Sequence, residues 1–366
     1  MREEDSQMLI TNPSELEFTY SHNRKWQGIP GIERTPGGRM FITFYSGGIT
    51  EQLGNYCVIL MSEDDGATWS EPIAAAYAGE EHRCYDPVLW IDPNGRLWFI
   101  WAEAPDSRIA AAVCDEPDAS SLHWSEARTI GHNVMMNKPT VLSDGSWLFP
   151  MAIWRFGLGI ANTDTRWSED ERLAYAVRTA DEGKTFERLG GVNAPERCFD
   201  EHMLLELGDG RIMMLIRTNY GIGVSYSADR GLSWSEAVDS GLGGPNSRFH
   251  IRRLPSGNVL LVNHVNFTGR NNLTAMISRN DCRSWEGYLM IDERASVSYP
   301  DSAFGADGSI YIVYDRERGC SWGGNNADND AREILFAKIT EEDILSGKLV
   351  SHGSSLRNIA SKLVIQ

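Results

Sequence analysis

The sequence predicts an all-β fold, a single six-bladed β-propeller over residues 1–366, and two interleaved repeats carry that prediction. The first is an eight-residue phrase. Ser62-Glu63-Asp64-Asp65-Gly66-Ala67-Thr68-Trp69 returns as Thr179-Ala180-Asp181-Glu182-Gly183-Lys184-Thr185-Phe186 and as Ser227-Ala228-Asp229-Arg230-Gly231-Leu232-Ser233-Trp234. A worn copy, Ser278 to Trp285, keeps the serines and the tryptophan and loses the Asp and the Gly. The second repeat is a turn ending in Gly and followed by β-branched, aromatic and aliphatic residues. It recurs at Gly38, Gly95, Gly145, Gly210, Gly257 and Gly308, at intervals of 57, 50, 65, 47 and 51 residues. Each of these glycines follows Gly, Asn, Asp or Ser, the chemistry of a hairpin between two buried strands. A period of roughly 50 residues holding four short strands is a propeller blade.

The eight-residue phrase has a structural meaning of its own. An Asp two residues before a Gly marks a tight turn, the carboxylate accepting backbone N–H groups and the Gly taking positive φ. The terminal aromatic is placed to plug the gap between adjacent sheets. Near the C-terminus, Ile334–Ile339 reads as the strand that closes the ring by pairing the two chain ends. Thr340 follows as an N-cap with an acidic residue three places on, which predicts a short helix.

Composition narrows the partners. A net charge of −17 argues against nucleic acid and anionic membrane, both of which need a basic footprint. No apolar run approaches the ~20 residues that span a bilayer. The acidic start, Met1-Arg2-Glu3-Glu4-Asp5, has no apolar segment, so a cytoplasmic location without a signal peptide is expected. Six scattered cysteines form no CxxC pair and predict reduced packing residues. No His/Asp spacing calls for a metal, and no cofactor is expected.

In a propeller the innermost strands begin around one mouth of the channel, so each blade contributes one or two side chains there. Stepping back from each hairpin glycine gives Gln27 in blade one, and His82, Arg83, Tyr85 and Asp86 in blade two. Blade three gives Asn137 and Lys138, and blade four gives Asp200, Glu201 and His202. Blade five gives Arg248 and His250, and blade six gives Tyr299 and Asp301. Convergent polar groups in a concave mouth are the default binding site. Arg248-Phe249-His250 puts a guanidinium and an imidazole on one face of a strand. Arg316, after the blade-six hairpin, is a further lining candidate, whereas Arg252 and Arg253 are expected to flank a hairpin in solvent. Trp26, Trp154 and Trp322 lie outside the repeated phrases and are candidates for stacking on sugar rings.

The repeated phrase resembles the Asp-box of the sialidase superfamily, and the resemblance covers most of the chain. Glu201 to Gly210 followed by Arg217 is similar to the family's fourth-blade segment. Arg270 lies where the family's next Arg is found, and Tyr299 in Ser298-Tyr299-Pro300-Asp301-Ser302 is placed like its nucleophilic Tyr. The resemblance implies that Arg217 and Arg270 hold a substrate carboxylate, a geometry Lys does not copy. It also implies that Tyr299 attacks the anomeric carbon with Glu201 as its base.

Two positions depart from the pattern. Gln27-Gly28-Ile29-Pro30 has Gly where the family carries its first Arg, and Asn55-Tyr56-Cys57-Val58 stands where its acid/base Asp is expected. The chain is thus expected to be a divergent member, with Asp86, His82, His202 or His250 as the acid. The expected function is release of a terminal, acidic sugar from a small saccharide by hydrolysis. A uronate-directed lyase and a non-catalytic glycan-binding propeller are the alternatives.

Overall fold

The structure is a computed structural model, and it describes residues 9–154, 166–318 and 331–363. Six antiparallel sheets follow one another along the chain, five with their strands in sequence order from the channel outward and blade one with an N-terminal strand added at its outer edge. Their innermost strands are Trp26–Arg34, Arg83–Ile91, Thr140–Val141, Met203–Glu206, His250–Arg253 and Val297–Phe304. The fourth strands outward are Ala74–Ala76, Arg128–His132, Glu187–Val192, Val238–Asp239, Glu286–Asp292 and Ser355–Lys362. All six hairpin glycines have φ between +81° and +98°, as the second repeat predicts.

The box phrase folds as its chemistry requires. The Asp64 carboxylate accepts the Thr68 N–H at 2.8 Å and the Thr68 hydroxyl at 2.6 Å, and the Ser62 hydroxyl accepts the Gly66 N–H at 2.9 Å. The worn copy keeps this geometry: Asn280 accepts the Ser284 N–H at 2.9 Å, and Cys282 takes φ +66° where the other copies have Gly. The glycine is also needed for space. A Cβ on Gly66 would lie 2.6 Å from the Phe336 ring of blade six, and one on Gly183 would lie 2.4 Å from the Trp98 ring of blade two. Trp69 meets Phe336 edge-on at 5.9 Å, a contact worth about 0.5–1.5 kcal/mol beyond its buried area. Each turn therefore docks on the neighbouring blade, and the core is divided into clusters between sheets.

Ring closure differs from the expected pairing of end strands. Glu333–Ile339 is the third strand of blade six, and Ser355–Lys362 supplies the fourth. The N-terminal Leu9–Ile10 adds to the outer edge of blade one. The ends meet through side chains, Gln27 donating to the Ser361 carbonyl and accepting from its hydroxyl. The short helix forms over Glu341–Ser346, with a Thr340–Asp343 capping box and a left-handed Gly347 at its end. No helix among the described residues is long and apolar enough to cross a membrane.

Candidate active site

One local device builds the pocket. In blades one, two and six the innermost strand carries a bulge, between Gly28 and Gly31, Tyr85 and Val88, and Ser298 and Asp301. Each bulge holds a residue with positive φ directly before a proline: Ile29 at +59°, Asp86 at +51° and Tyr299 at +57°. A left-handed residue in a bulge bends the strand and re-aims its side chain. Non-glycine residues hold that strained backbone only where the surroundings enforce it. All three side chains line the same cavity of about 840 Å³ at one mouth of the channel.

The floor of the cavity is a hydrogen-bonded chain. The Tyr299 hydroxyl donates to Glu201 Oε1 at 2.7 Å. Arg217 Nη1 donates to the same carboxylate oxygen at 2.6 Å and to the Tyr299 oxygen at 3.2 Å. Burial, then the Glu201 charge, pushes the Tyr299 phenol up to about 12 against the pull of nearby guanidiniums. Such a phenol attacks only with a base already in hydrogen-bonding reach, and Glu201 provides it. Arg217 in turn is held by Asn246, through its side-chain oxygen at 2.6 Å and its carbonyl at 3.0 Å. Its main work in this geometry is to orient Glu201 and Tyr299.

Arg270 donates to the Asn246 carbonyl at 3.1 Å and stands 5.5 Å from the centre of the Tyr299 ring. Asp86 is fully buried from the strand side; burial, reinforced by the charges of Glu51 and Glu201, pushes its carboxyl up to about 8. Arg83 and Arg248 pull the other way. An acid of that strength keeps its proton at neutral pH, as a general acid must. The lining also includes Tyr85, Met136, Trp154 and Phe199. Trp154 meets Phe199 edge-on at 5.5 Å, and Phe199 underlies Arg217 at 5.0 Å.

The cavity thus gathers Tyr299, Glu201, Asp86, Arg217 and Arg270. Other sequence candidates stand apart from it. Gln27 is turned to the closure seam, bonded to Arg332 and Ser361. His202 spans two backbone carbonyls, Asp200 and Tyr175, and burial lowers its pKa. Lys138 lies deeper in the channel, with Glu33, Asp301 and the Ile32 and Leu89 carbonyls within 3.2 Å. His250 sits beside it, bonded to Ser302 at 2.7 Å and facing Asp301 at 3.4 Å; burial pulls it down to about 3, which leaves it neutral. Arg248 is buried beneath the floor, donating to the Pro300 carbonyl. Arg316 does not line the cavity; it pairs with Glu317, which does, and with Glu333. His82 pairs with Asp106 near the surface. Arg252, expected in solvent, reaches the Ser302 carbonyl and Glu33 inside the channel. Trp26 packs in the core against Tyr45, and Trp322 and Cys320 lie outside the described residues.

Several lining residues are not among the sequence candidates, Glu51, Glu317 and Arg318 being the charged ones, although the sequence reads the segment after the blade-six hairpin as able to reach the mouth. Glu51 comes from the loop between the second and third strands of blade one, and Arg318 from the segment after the second strand of blade six. Arg318 lies 4.2 Å from the centre of the Tyr299 ring. The nearest signal for Arg318 was Arg316, two residues away. Glu317 has φ +50°, so the chain leaves the sheet between them and the strand alternation stops. Among the described residues no group of three His, Cys, Asp or Glu side chains forms a metal site.

A family model described as a BNR repeat-like domain matches residues 38–312. A search of curated proteins finds no match. Among solved structures, the chain is similar to the Hadza microbial sialidase Hz136, with 19% identity and a TM-score of 0.64 over 80% of this chain and 64% of that one. It thus spans just under two thirds of that sialidase. The NanB sialidase from Streptococcus pneumoniae is 14% identical with a TM-score of 0.66, over 88% of this chain and 70% of that one. The intramolecular trans-sialidase from Ruminococcus gnavus is 13% identical with a TM-score of 0.64, over 90% and 97%. At these identities the likeness is one of fold. The extent of the family match, the four box turns and the six blades agree: the chain belongs to the BNR repeat-like domain family and shares its fold with sialidases.

Proposed function

We propose that this protein is a glycoside hydrolase that releases a terminal acidic sugar through Tyr299. The observation that carries the reading is the Tyr299–Glu201–Arg217 chain on the floor of a large open cavity. Tyr299 oxygen attacks the anomeric carbon as its proton passes to Glu201, and the bond to the departing oxygen breaks. Asp86, protonated at neutral pH, gives its proton to that oxygen. Water then cleaves the sugar–tyrosine bond, Asp86 taking a proton from it and Glu201 returning one to the phenol. Arg217, Arg270 and Arg318 surround the phenol oxygen and ring, where they stabilise negative charge on the tyrosine in both directions. The sialidase neighbours support a saccharide as the ligand, and a lining that combines guanidiniums with the apolar Met136, Trp154 and Phe199 supports a sugar with charged and apolar parts.

The test is a release assay on aryl uronides, sialosides and neutral glycosides, with wild type and Tyr299→Phe side by side. The Phe variant should lose about 10³-fold or more in kcat while keeping the wild-type melting temperature. Mass analysis for an unsaturated product separates hydrolysis from elimination. Turnover that survives the Phe change removes Tyr299 from the chemistry.

A further inference from the structure

Gly28 has no local reason to be glycine. Its φ lies outside the left-handed region that favours this residue, and it pairs with Tyr45 in the ladder like any strand residue. The reason lies across the seam between blades one and six. A Cβ on Gly28 would stand 2.4 Å from Arg318 Cδ, 2.8 Å from its Cγ and 3.1 Å from its Nε. The stem of Arg318 occupies the room that a side chain at position 28 would need. Its head is fixed there by Asp315, 2.9 Å from Nε, and by the Ser298 hydroxyl, 3.0 Å from Nη2. Asp315 is itself tied to both blades, accepting the Ile29 N–H at 2.7 Å and the Ser298 hydroxyl at 2.6 Å. Arg318 is therefore a built part of the cavity, its guanidinium 4.2 Å from the Tyr299 ring centre.

We propose that Arg318 supplies, from blade six, the guanidinium that the blade-one strand lacks at Gly28, and that Gly28 and Arg318 are one exchange which makes the cavity selective for a sugar carboxylate. The inference deepens the glycosidase reading and rests on it for the orientation of the sugar. Nη1 of Arg318 faces Glu51 at 3.5 Å, longer than the roughly 2.7–2.9 Å of a tight charged hydrogen bond. This donor is the one an incoming carboxylate takes. Arg270, with Asn246 as its hydrogen-bond partner among the described residues, offers the second fork. A planar guanidinium held by its own carboxylate gives paired, directed donors, which a flexible ammonium does not.

The test uses Arg318→Met, which keeps an apolar stem over Gly28 and removes the charge. The readouts are calorimetric binding of free glucuronic acid and free N-acetylneuraminic acid, each against its methyl ester, and kcat/KM for the matching aryl glycosides. The two acids separate a uronate from a nonulosonate ligand. Losing one charge-assisted contact should weaken binding of the free acid by about 10–150-fold and leave binding of its ester unchanged, while kcat/KM, which also reports the guanidinium beside Tyr299, should fall more for the acid than for the ester. A second arm replaces both partners. Gly28→Arg alone should abolish acid selectivity through the clash, whereas Gly28→Arg with Arg318→Ala should recover at least about tenfold of the lost acid-over-ester preference. An unchanged acid-to-ester ratio in Arg318→Met overturns the proposal. The two readings fail separately. Neutral glycosides cleaved through Tyr299 without acid preference would sink the Arg318 assignment alone. Acid binding that depends on Arg318 without turnover of any glycoside would sink the glycosidase reading alone.

Discussion

The channel of this propeller holds two clusters built from the same kinds of residue, and they differ in how far their polar atoms are already satisfied. Deep in the channel, Lys138 has two carboxylates and two carbonyls within 3.2 Å, and Asp301 also accepts the Ile32 N–H at 2.9 Å. His250 and Arg252 complete that cluster through Ser302. At the open mouth, Glu201 has one oxygen occupied and the other without a partner, while Asp86, Glu51 and Arg318 face a cavity of about 840 Å³. The deep carboxylates keep one orphan, Asp301 Oδ1, which has no hydrogen-bond partner among the described residues and faces the His250 ring at 3.4 Å. A nearly satisfied buried network sets structure, and a less satisfied one beside a large cavity is equipped to bind. Residue type alone does not tell them apart.

The comparison is sharpened most strongly by substituting in the deep cluster. Lys138→Met takes from Glu33 and Asp301 their nearest cation, leaving the more distant Arg252 and Arg248, and breaking a buried pair from one side costs about 3–5 kcal/mol. Denaturant unfolding should show that loss, whereas Tyr299→Phe at the mouth should leave stability nearly unchanged. A Lys138→Met protein as stable as wild type would make the two clusters equivalent and break the comparison.

A smaller effect is expected in the pH dependence. The acid role of Asp86 needs its proton, so kcat/KM should fall as pH rises through about 8. Glu51 contributes to holding that value up by its negative charge. Glu51→Gln removes the charge, lowers the Asp86 pKa and moves the basic limb to lower pH. A limb that stays in place, or moves up, would show that another group supplies the proton.

Most of the fold was legible because repeats report it directly: the box turns and hairpin glycines each encode a local backbone geometry. Closure was misjudged because an apolar run such as Ile334–Ile339 does not state which neighbour it pairs with. For the site, Tyr299, Glu201, Asp86, Arg217 and Arg270 followed from counting back to the strand starts and from the resemblance. Counting back also swept in Gln27, Lys138, His202 and His250, because it reports nearness to the channel and not which way a side chain points. A finer signal was present, since Ile29, Asp86 and Tyr299 all precede a proline, and that shared step marks the bulges that turn side chains into the cavity. Glu51 and Arg318 gave no such mark. Their placement depends on a loop and on a strand exit, and Arg318 is visible only as the space missing at Gly28.

The central claim is that covalent chemistry runs through the Tyr299 hydroxyl at the open mouth. The most direct measurement is to incubate wild type with an activated, ring-fluorinated acidic sugar, which slows breakdown of a sugar–tyrosine glycoside, and to map the adduct by peptide mass. The account predicts one sugar per chain, attached at Tyr299 and absent in Tyr299→Phe. A protein that turns over the parent glycoside but carries the label on another residue, or labels equally well as Tyr299→Phe, would contradict it.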